Sequence, residues 1–317
     1  MSSVGGQMTT FAVALQVFTL SHSSAAVGAV GLAYAVPAIA VGMVGGVLVD
    51  SVDRRKLVLV TSSLQMVVSV ALAAQAFAAG GALWLLYVLT AAQGCIGAVN
   101  APARRTFNPR LLRRDLVSAG AALTMISGYV AMISGPALAG LVAAAGGLKL
   151  CYLIDAFTFV AALYGVFRLP PMRPEGQRTQ RNFRALADGL RFVIDHRALR
   201  GAMLADLSAT VLAMPIALFP AINANRFGGS PGTLGLLSTA VAVGGLLGLA
   251  LSGPVKRVVR PGRAMLITGS IWGAALAGFG AVHDLRIRLP CWPLPAPRTC
   301  SRWCSAPPSF SSPPPMR

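Results

Sequence analysis

Residues 45–56 read Gly45-Gly46-Val47-Leu48-Val49-Asp50-Ser51-Val52-Asp53-Arg54-Arg55-Lys56. One apolar run extends upstream from Val27 to Val49, and another downstream from Leu57 to Ala79. Two acids and three bases crowd the seven residues from Asp50 to Lys56. A helix needs about 20 apolar residues to cross a ~30 Å hydrocarbon core, and both runs reach that length. A short charged connection between two such runs is a loop between membrane helices.

Working outward, composition agrees. Of the 317 residues, 55% are hydrophobic and only 11% charged, against about 25% charged in soluble domains. This points to an all-α, polytopic membrane bundle. A net charge of +18 would suggest nucleic acid for a soluble chain. Here the bases sit between the apolar runs, so the partner expected is the anionic inner leaflet and not nucleic acid. Cys95 and Cys151 lie inside apolar runs as small hydrophobes, whereas Cys291, Cys300 and Cys304 fall in the C-terminal tail. Metal-ligand spacing is missing from the sequence, and no cofactor is expected.

Nine apolar runs follow one another: 4–20, 27–49, 57–79, 82–103, 117–146, 150–168, 201–224, 231–254 and 264–283. Bases alternate between the connections. Arg54, Arg55 and Lys56 lie in the second, Arg104, Arg105, Arg110, Arg113 and Arg114 in the fourth, eight arginines from Arg168 to Arg200 in the sixth, and Lys256, Arg257, Arg260 and Arg263 in the eighth. The odd connections carry only Lys149 and Arg226. Base-rich loops stay in the cytoplasm, which places the N-terminus on the cytoplasmic side of the membrane. The first run starts almost at Met1 without a basic flank, which predicts a clipped N-terminus or a start codon placed too late and argues against a cleaved signal peptide.

The division expected is a six-helix half over 1–168, a cytoplasmic linker over 169–200, a partial second half of three spans over 201–283, and a Pro- and Arg-rich tail over 284–317. Within the linker, Phe183, Leu186, Leu190, Val193 and Ile194 share a helical face, which fits an interfacial helix or a solvated linker helix. The stretch Gly253–Arg263 echoes residues 45–56, with Arg55 and Arg263 in register, as in two copies of a six-span unit. That repeat calls for three further spans where the tail stands. The plain reading of the tail is disorder; the sharper one, favoured here, is a change of reading frame near His283.

The pattern Gly46-x-Leu48-x-Asp50-x-x-x-Arg54-Arg55 resembles the loop motif G-x-L-x-D-R-x-G-R-R of the major facilitator superfamily. Two further stretches, Asn100-Ala101-Pro102-Ala103-Arg104-Arg105-Thr106-Phe107-Asn108-Pro109 and Ser134-Gly135-Pro136-Ala137-Leu138-Ala139-Gly140, are similar to its bacterial drug and siderophore exporters. The resemblance covers residues 8–283. It implies a conformational latch at Gly46, Asp50, Arg54 and Arg55, in which the Asp50 carboxylate meets the start of an eleventh span. It also implies an exporter-type bend at Gly135, Pro136 and Gly140. In physical terms, a proline drops one helix hydrogen bond and glycines let helices approach closely. Ser51 and Asp53 replace the motif's usual Arg and Gly, while Thr90 and Met132 stand where relatives carry membrane arginines.

Asp155 and Asp206 are the carboxylates placed in spans 6 and 7, each near a span end, where a hydrated or capped acid is the plain alternative to a coupling group. Gln16, Gln93 and Asn100 complete the candidate coupling or substrate residues, with helix-to-helix bonding as the alternative role. The function implied is secondary active export of amphiphilic small molecules by alternating access, with proton antiport, in a monomer. No phosphate-cradling G-x-x-x-x-G-K-[ST] loop is present, and the chain is not expected to be an enzyme. The alternatives are an inactive remnant of such an exporter, or a polytopic membrane enzyme or scaffold. An enzyme would need paired carboxylates or a His cluster facing one cavity.

Overall fold

A computed structural model describes residues 2–78, 82–107, 111–113, 116–170 and 215–251, with short pieces at 191–192, 194–196, 199–201, 203–204, 207, 270–271 and 274. The described residues form helices α1 (Ser2–Ser21), α2 (Ser24–Ser51), α3 (Arg54–Phe77), α4 (Leu83–Arg105), α5 (Val117–Gly146), α6 (Leu148–Phe167), α7 (Phe219–Arg226) and α8 (Pro231–Leu251), and no strand. Five helices, α2 to α6, are long and apolar enough to cross a membrane. The chain is a multi-pass membrane protein of helical-bundle architecture. Most of the ninth expected span, residues 171–190 of the linker, Asp206 and the whole tail lie outside the described residues.

Local chemistry sets the helix boundaries. The Ser23 hydroxyl accepts from the Ala26 N–H at 3.4 Å and starts α2. The Asp53 carboxylate accepts from the Arg55 N–H at 2.9 Å and starts α3. The residue that departs from the loop motif thus caps the helix that follows it. Gly147, at φ +79°, takes the turn between α5 and α6 that a side chain would disfavour. Helix α4 runs through Arg105, two residues beyond the expected span end, so Arg104 and Arg105 belong to its last turn and not to the loop. Cations there offset the exposed carbonyl ends of the helix.

Helix α2 packs on α4, α3 on α4 and α6, α1 on α5 and α6, and α8 on α5. Helix α1 is the axis of this arrangement. Met8, Phe11, Ala12, Val13, Leu15, Val17 and Phe18 are all buried, and they anchor a core shared with Leu72, Leu86, Tyr152 and Leu237. It carries Ser2, Gln7, Thr9, Thr10 and Gln16, so it falls outside the set that is apolar enough to face lipid. A helix ringed by protein has no need to be. A second cluster, Leu57, Val58, Val99, Ala103 and Val166, closes the end of the bundle that carries Arg54, Arg55, Arg104 and Arg105, hereafter the basic end.

Three close crossings depend on glycine. A Cβ on Gly94 of α4 would strike the Tyr34 carbonyl of α2. A Cβ on Gly135 of α5 would strike the Gln7 side chain of α1. One on Gly140 would lie 2.8 Å from the Pro231 carbonyl oxygen and 3.0 Å from the Gly235 Cα of α8. The exporter-like stretch in α5 therefore faces α1 through one glycine and α8 through the other.

Candidate functional site

Several polar side chains of the bundle interior gather around a cavity of about 600 Å³ between α1, α2, α3, α4 and α6. Gln65, Gln93, Asn100, Arg104, Arg105 and Asp155 line it, with Ser2, Gln7, Thr10 and Tyr34 from α1 and α2. Its size is that of a small-molecule site.

Asp155 is fully buried, at 0% exposure. Its Oδ2 accepts from the Thr9 and Ser69 hydroxyls, each at 2.7 Å, which joins α6 to α1 and α3. Its Oδ1 has no hydrogen-bond partner among the described residues. Gly5 makes room for that oxygen, because a Cβ there would overlap it and the Thr158 hydroxyl. The sequence reading placed Asp155 near a span end, with a hydrated or capped acid set beside the coupling role. In the structure the residue lies about two turns into α6, buried inside a three-helix junction. A missing side chain on the neighbouring helix is what lets the acid be enclosed.

Toward the basic end a second network runs along α4. The Asn100 amide donates to Gln65 Oε1 at 2.7 Å. Arg104 Nε donates to Asn100 Oδ1 at 3.2 Å, Nη1 to the Ser2 hydroxyl at 3.3 Å, and Nη2 to the Ser62 hydroxyl at 3.0 Å. These bonds tie α4 to α1 and α3. Arg104 is the site residue that sequence reasoning missed, having counted it only as loop charge. The signal available was spacing: Asn100 and Arg104 stand four residues apart on a helix, so their side chains meet on one face.

Of the sequence candidates, Gln93, Asn100 and Asp155 come together on this cavity. Gln16 does not line it. Its amide donates to Gln75 Oε1 at 3.1 Å and its Oε1 accepts from the Tyr152 hydroxyl at 2.7 Å, which makes it a buried tie between α1, α3 and α6. These two bonds fit the helix-joining role set beside the coupling role, with one N–H of the Gln16 amide on Gln75 and its oxygen accepting from Tyr152. Gly46 and Asp50 lie in the last two turns of α2, and Arg54 opens α3. Arg55 Nη2 donates to the Phe167 carbonyl at 2.6 Å, with the guanidinium over the Phe167 ring at 5.5 Å, so it closes the C-terminus of α6. Among the described residues, His, Cys, Asp and Glu form no group of three able to hold a metal ion.

Two apolar compartments adjoin the polar one. One, of about 390 Å³, is lined by Val13, Val27 and Val30; the other, of about 160 Å³, by Phe11, Met132, Phe219 and Leu234 between α1, α5, α7 and α8. Thr10 borders all three.

The profile of a family described as transmembrane secretion effector matches residues 1–290. The enterobactin exporter EntS of Escherichia coli O1:K1 / APEC is 30% identical over 268 residues, which cover 84% of this chain and 63% of the relative. The enterobactin exporter EntS of Shigella boydii serotype 18 is 29% identical over 271 residues, with 84% and 64% covered. That of Shigella dysenteriae serotype 1 is 28% identical over a stretch of the same length. The chain thus spans less than two thirds of the length of these curated relatives.

Proposed function

The chain belongs to the transmembrane secretion effector family of the major facilitator superfamily, and from that premise we propose that it acts in secondary active export of amphiphilic small molecules. The observation that carries this reading is the polar cavity of about 600 Å³ within the bundle, which shares Thr10, Tyr34 and Gln93 with an apolar compartment, as a transport site for molecules of mixed polarity would. Siderophore-like compounds are the first substrates to test, because the relatives are named as enterobactin exporters. The setting proposed is the bacterial inner membrane with the basic end in the cytoplasm, following the alternation of bases.

The α5–α8 crossing at Gly140 and Gly235 supports the alternating-access part of the proposal. It brings the α5 and α8 backbones into direct contact late in α5, while Arg104 and Arg105 line the polar cavity at the basic end. Asp155 is assigned the coupling role in a proton antiport. It is a buried carboxyl on the cavity with one oxygen unpartnered among the described residues, and intramembrane acids of this kind mark ion paths. Asp50, Arg54 and Arg55 are assigned to the latch at the basic end, where Arg55 already binds the end of α6.

The test is efflux of a fluorescent amphiphile from cells that lack their main efflux pumps. The chain would be compared with a form continued by the remaining spans of the Escherichia coli relative. Dye loss above the empty-vector rate in either form supports export, and loss at the vector rate in both rejects it. Asp155→Asn should abolish loss against a gradient while leaving downhill loss intact.

A further inference from the structure

We infer that the cavity takes an anionic amphiphile head-first, with Arg104 binding the acidic head and the adjoining compartments taking the apolar body; this rests on the export reading above. Arg104 lines the polar compartment and is only half-buried. All three of its partners, Asn100, Ser2 and Ser62, are neutral, so among the described residues no carboxylate offsets the guanidinium. Each bond uses one N–H on each nitrogen, so Nη1 and Nη2 keep a second N–H apiece. The same neutral bonds hold the guanidinium plane in place from three helices. A fixed plane with free N–H groups is what a carboxylate, sulfonate, phosphate or phenolate needs for bidentate capture.

Asp155, the one acid among the described residues of the cavity wall, does not compete for it. The Asp155 Oδ2 is held by the Thr9 and Ser69 hydroxyls, and no salt bridge joins it to Arg104. Beside Arg104 stands Arg105, exposed and on the same cavity, so the charge at this mouth is positive. Away from it the walls turn apolar, at Val13, Val27 and Val30 in one compartment and Phe11 and Leu234 in the other. Charge at one end and hydrocarbon at the other impose an orientation on any ligand that spans them. The acidic head faces the basic end.

The test uses the full chain in phosphatidylcholine nanodiscs and three fluorescent probes that share one body: pyrenebutanoate, pyrenebutanol and pyrenebutyl-trimethylammonium, each corrected for binding to empty nanodiscs. Pyrenebutanoate should bind about tenfold tighter than the alcohol, the effect of a charge-assisted hydrogen-bonded pair. Arg104→Gln should erase that preference and leave alcohol binding unchanged, Arg104→Lys should keep part of it, and Arg105→Gln most of it. A purely structural role for Arg104 would instead weaken all three probes together in Arg104→Gln. Equal binding of the three probes by the unaltered chain overturns the head assignment while leaving the cavity reading in place, and needs no variant to fold. Binding of none overturns both. A preference that survives Arg104→Gln also overturns it. Loss of pyrenebutanoate binding when phosphatidylglycerol replaces part of the lipid would give the site to a lipid headgroup and overturn the substrate assignment; undiminished binding supports it.

Discussion

Replacing Gly235 by Ala tests whether the α5–α8 crossing sets the conformational balance. The added Cβ would lie 2.8 Å from the Pro136 carbonyl oxygen, 3.0 Å from the Gly140 Cα and 3.4 Å from the Gly140 nitrogen. All three neighbours are backbone atoms, which cannot swing aside as a flexible side chain does. Relief therefore requires α5 and α8 to separate by several tenths of an ångström. Overpacking of this kind costs about 1–3 kcal/mol. If the cost falls only on the conformation in which the two helices touch, the balance shifts by about 5- to 150-fold toward the separated one. The readout is the labelling rate of Ser238→Cys, one turn beyond Gly235, by a membrane-impermeant maleimide in a background without the native cysteines. The rate should rise by that factor in Gly235→Ala. Gly165→Ala, where an added Cβ meets nothing within 4 Å, should leave it unchanged. A labelling rate within about twofold of the parent in correctly folded Gly235→Ala would refute the argument that this crossing holds the bundle shut.

Removing either hydroxyl at the Asp155 junction, by Thr9→Val or Ser69→Ala, should cost about 1.5–3 kcal/mol, because each donates to a buried carboxylate; thermal unfolding in detergent measures it, and a loss below about 0.5 kcal/mol would contradict the assigned bonds. Asp53→Ala should cost about 1 kcal/mol through loss of the α3 cap, whereas Asp53→Asn should cost far less; equal losses would mean that the charge, and not the cap, matters. Gln16→Leu strips the Tyr152 hydroxyl of its buried acceptor and should cost about 1–3 kcal/mol in the same unfolding assay without changing probe affinity in the polar cavity; weaker probe binding at unchanged stability would return Gln16 to the substrate site.

The helical bundle and most of its spans were legible because lipid imposes a long-period signal on sequence. About 20 apolar residues must run together wherever a helix faces hydrocarbon. The run 117–146 matches α5 residue for residue, and the runs behind α1 to α4, α6 and α8 agree within a few residues, whereas of the seventh run, 201–224, the described part is a short turn and the eight-residue α7. Helix α1 was the weakest of the runs because it is sheltered by its neighbours, so its polar residues carry no lipid penalty. The exporter-like stretch in α5 was legible for a related reason. Close approach of two backbones leaves glycine as the residue that fits, and Gly135 and Gly140 mark where α1 and α8 cross.

Which polar groups meet was not written in the order of residues. Gln16 and Asn100 are both amides in apolar runs, yet one ties three helices together and the other lines the cavity with Arg104. That difference depends on helix rotation and on partners up to 146 residues away, as in the Thr9–Asp155 bond. The sequence by itself determined the helical architecture, the charged junction of two helices at Asp50 to Lys56 and the family, because each rests on local composition or spacing. Only the tertiary structure decided that Asp155 is enclosed, that Arg104 faces the cavity with neutral partners, and that Gly140 and Gly235 touch, because each depends on three-dimensional packing between helices far apart in the chain.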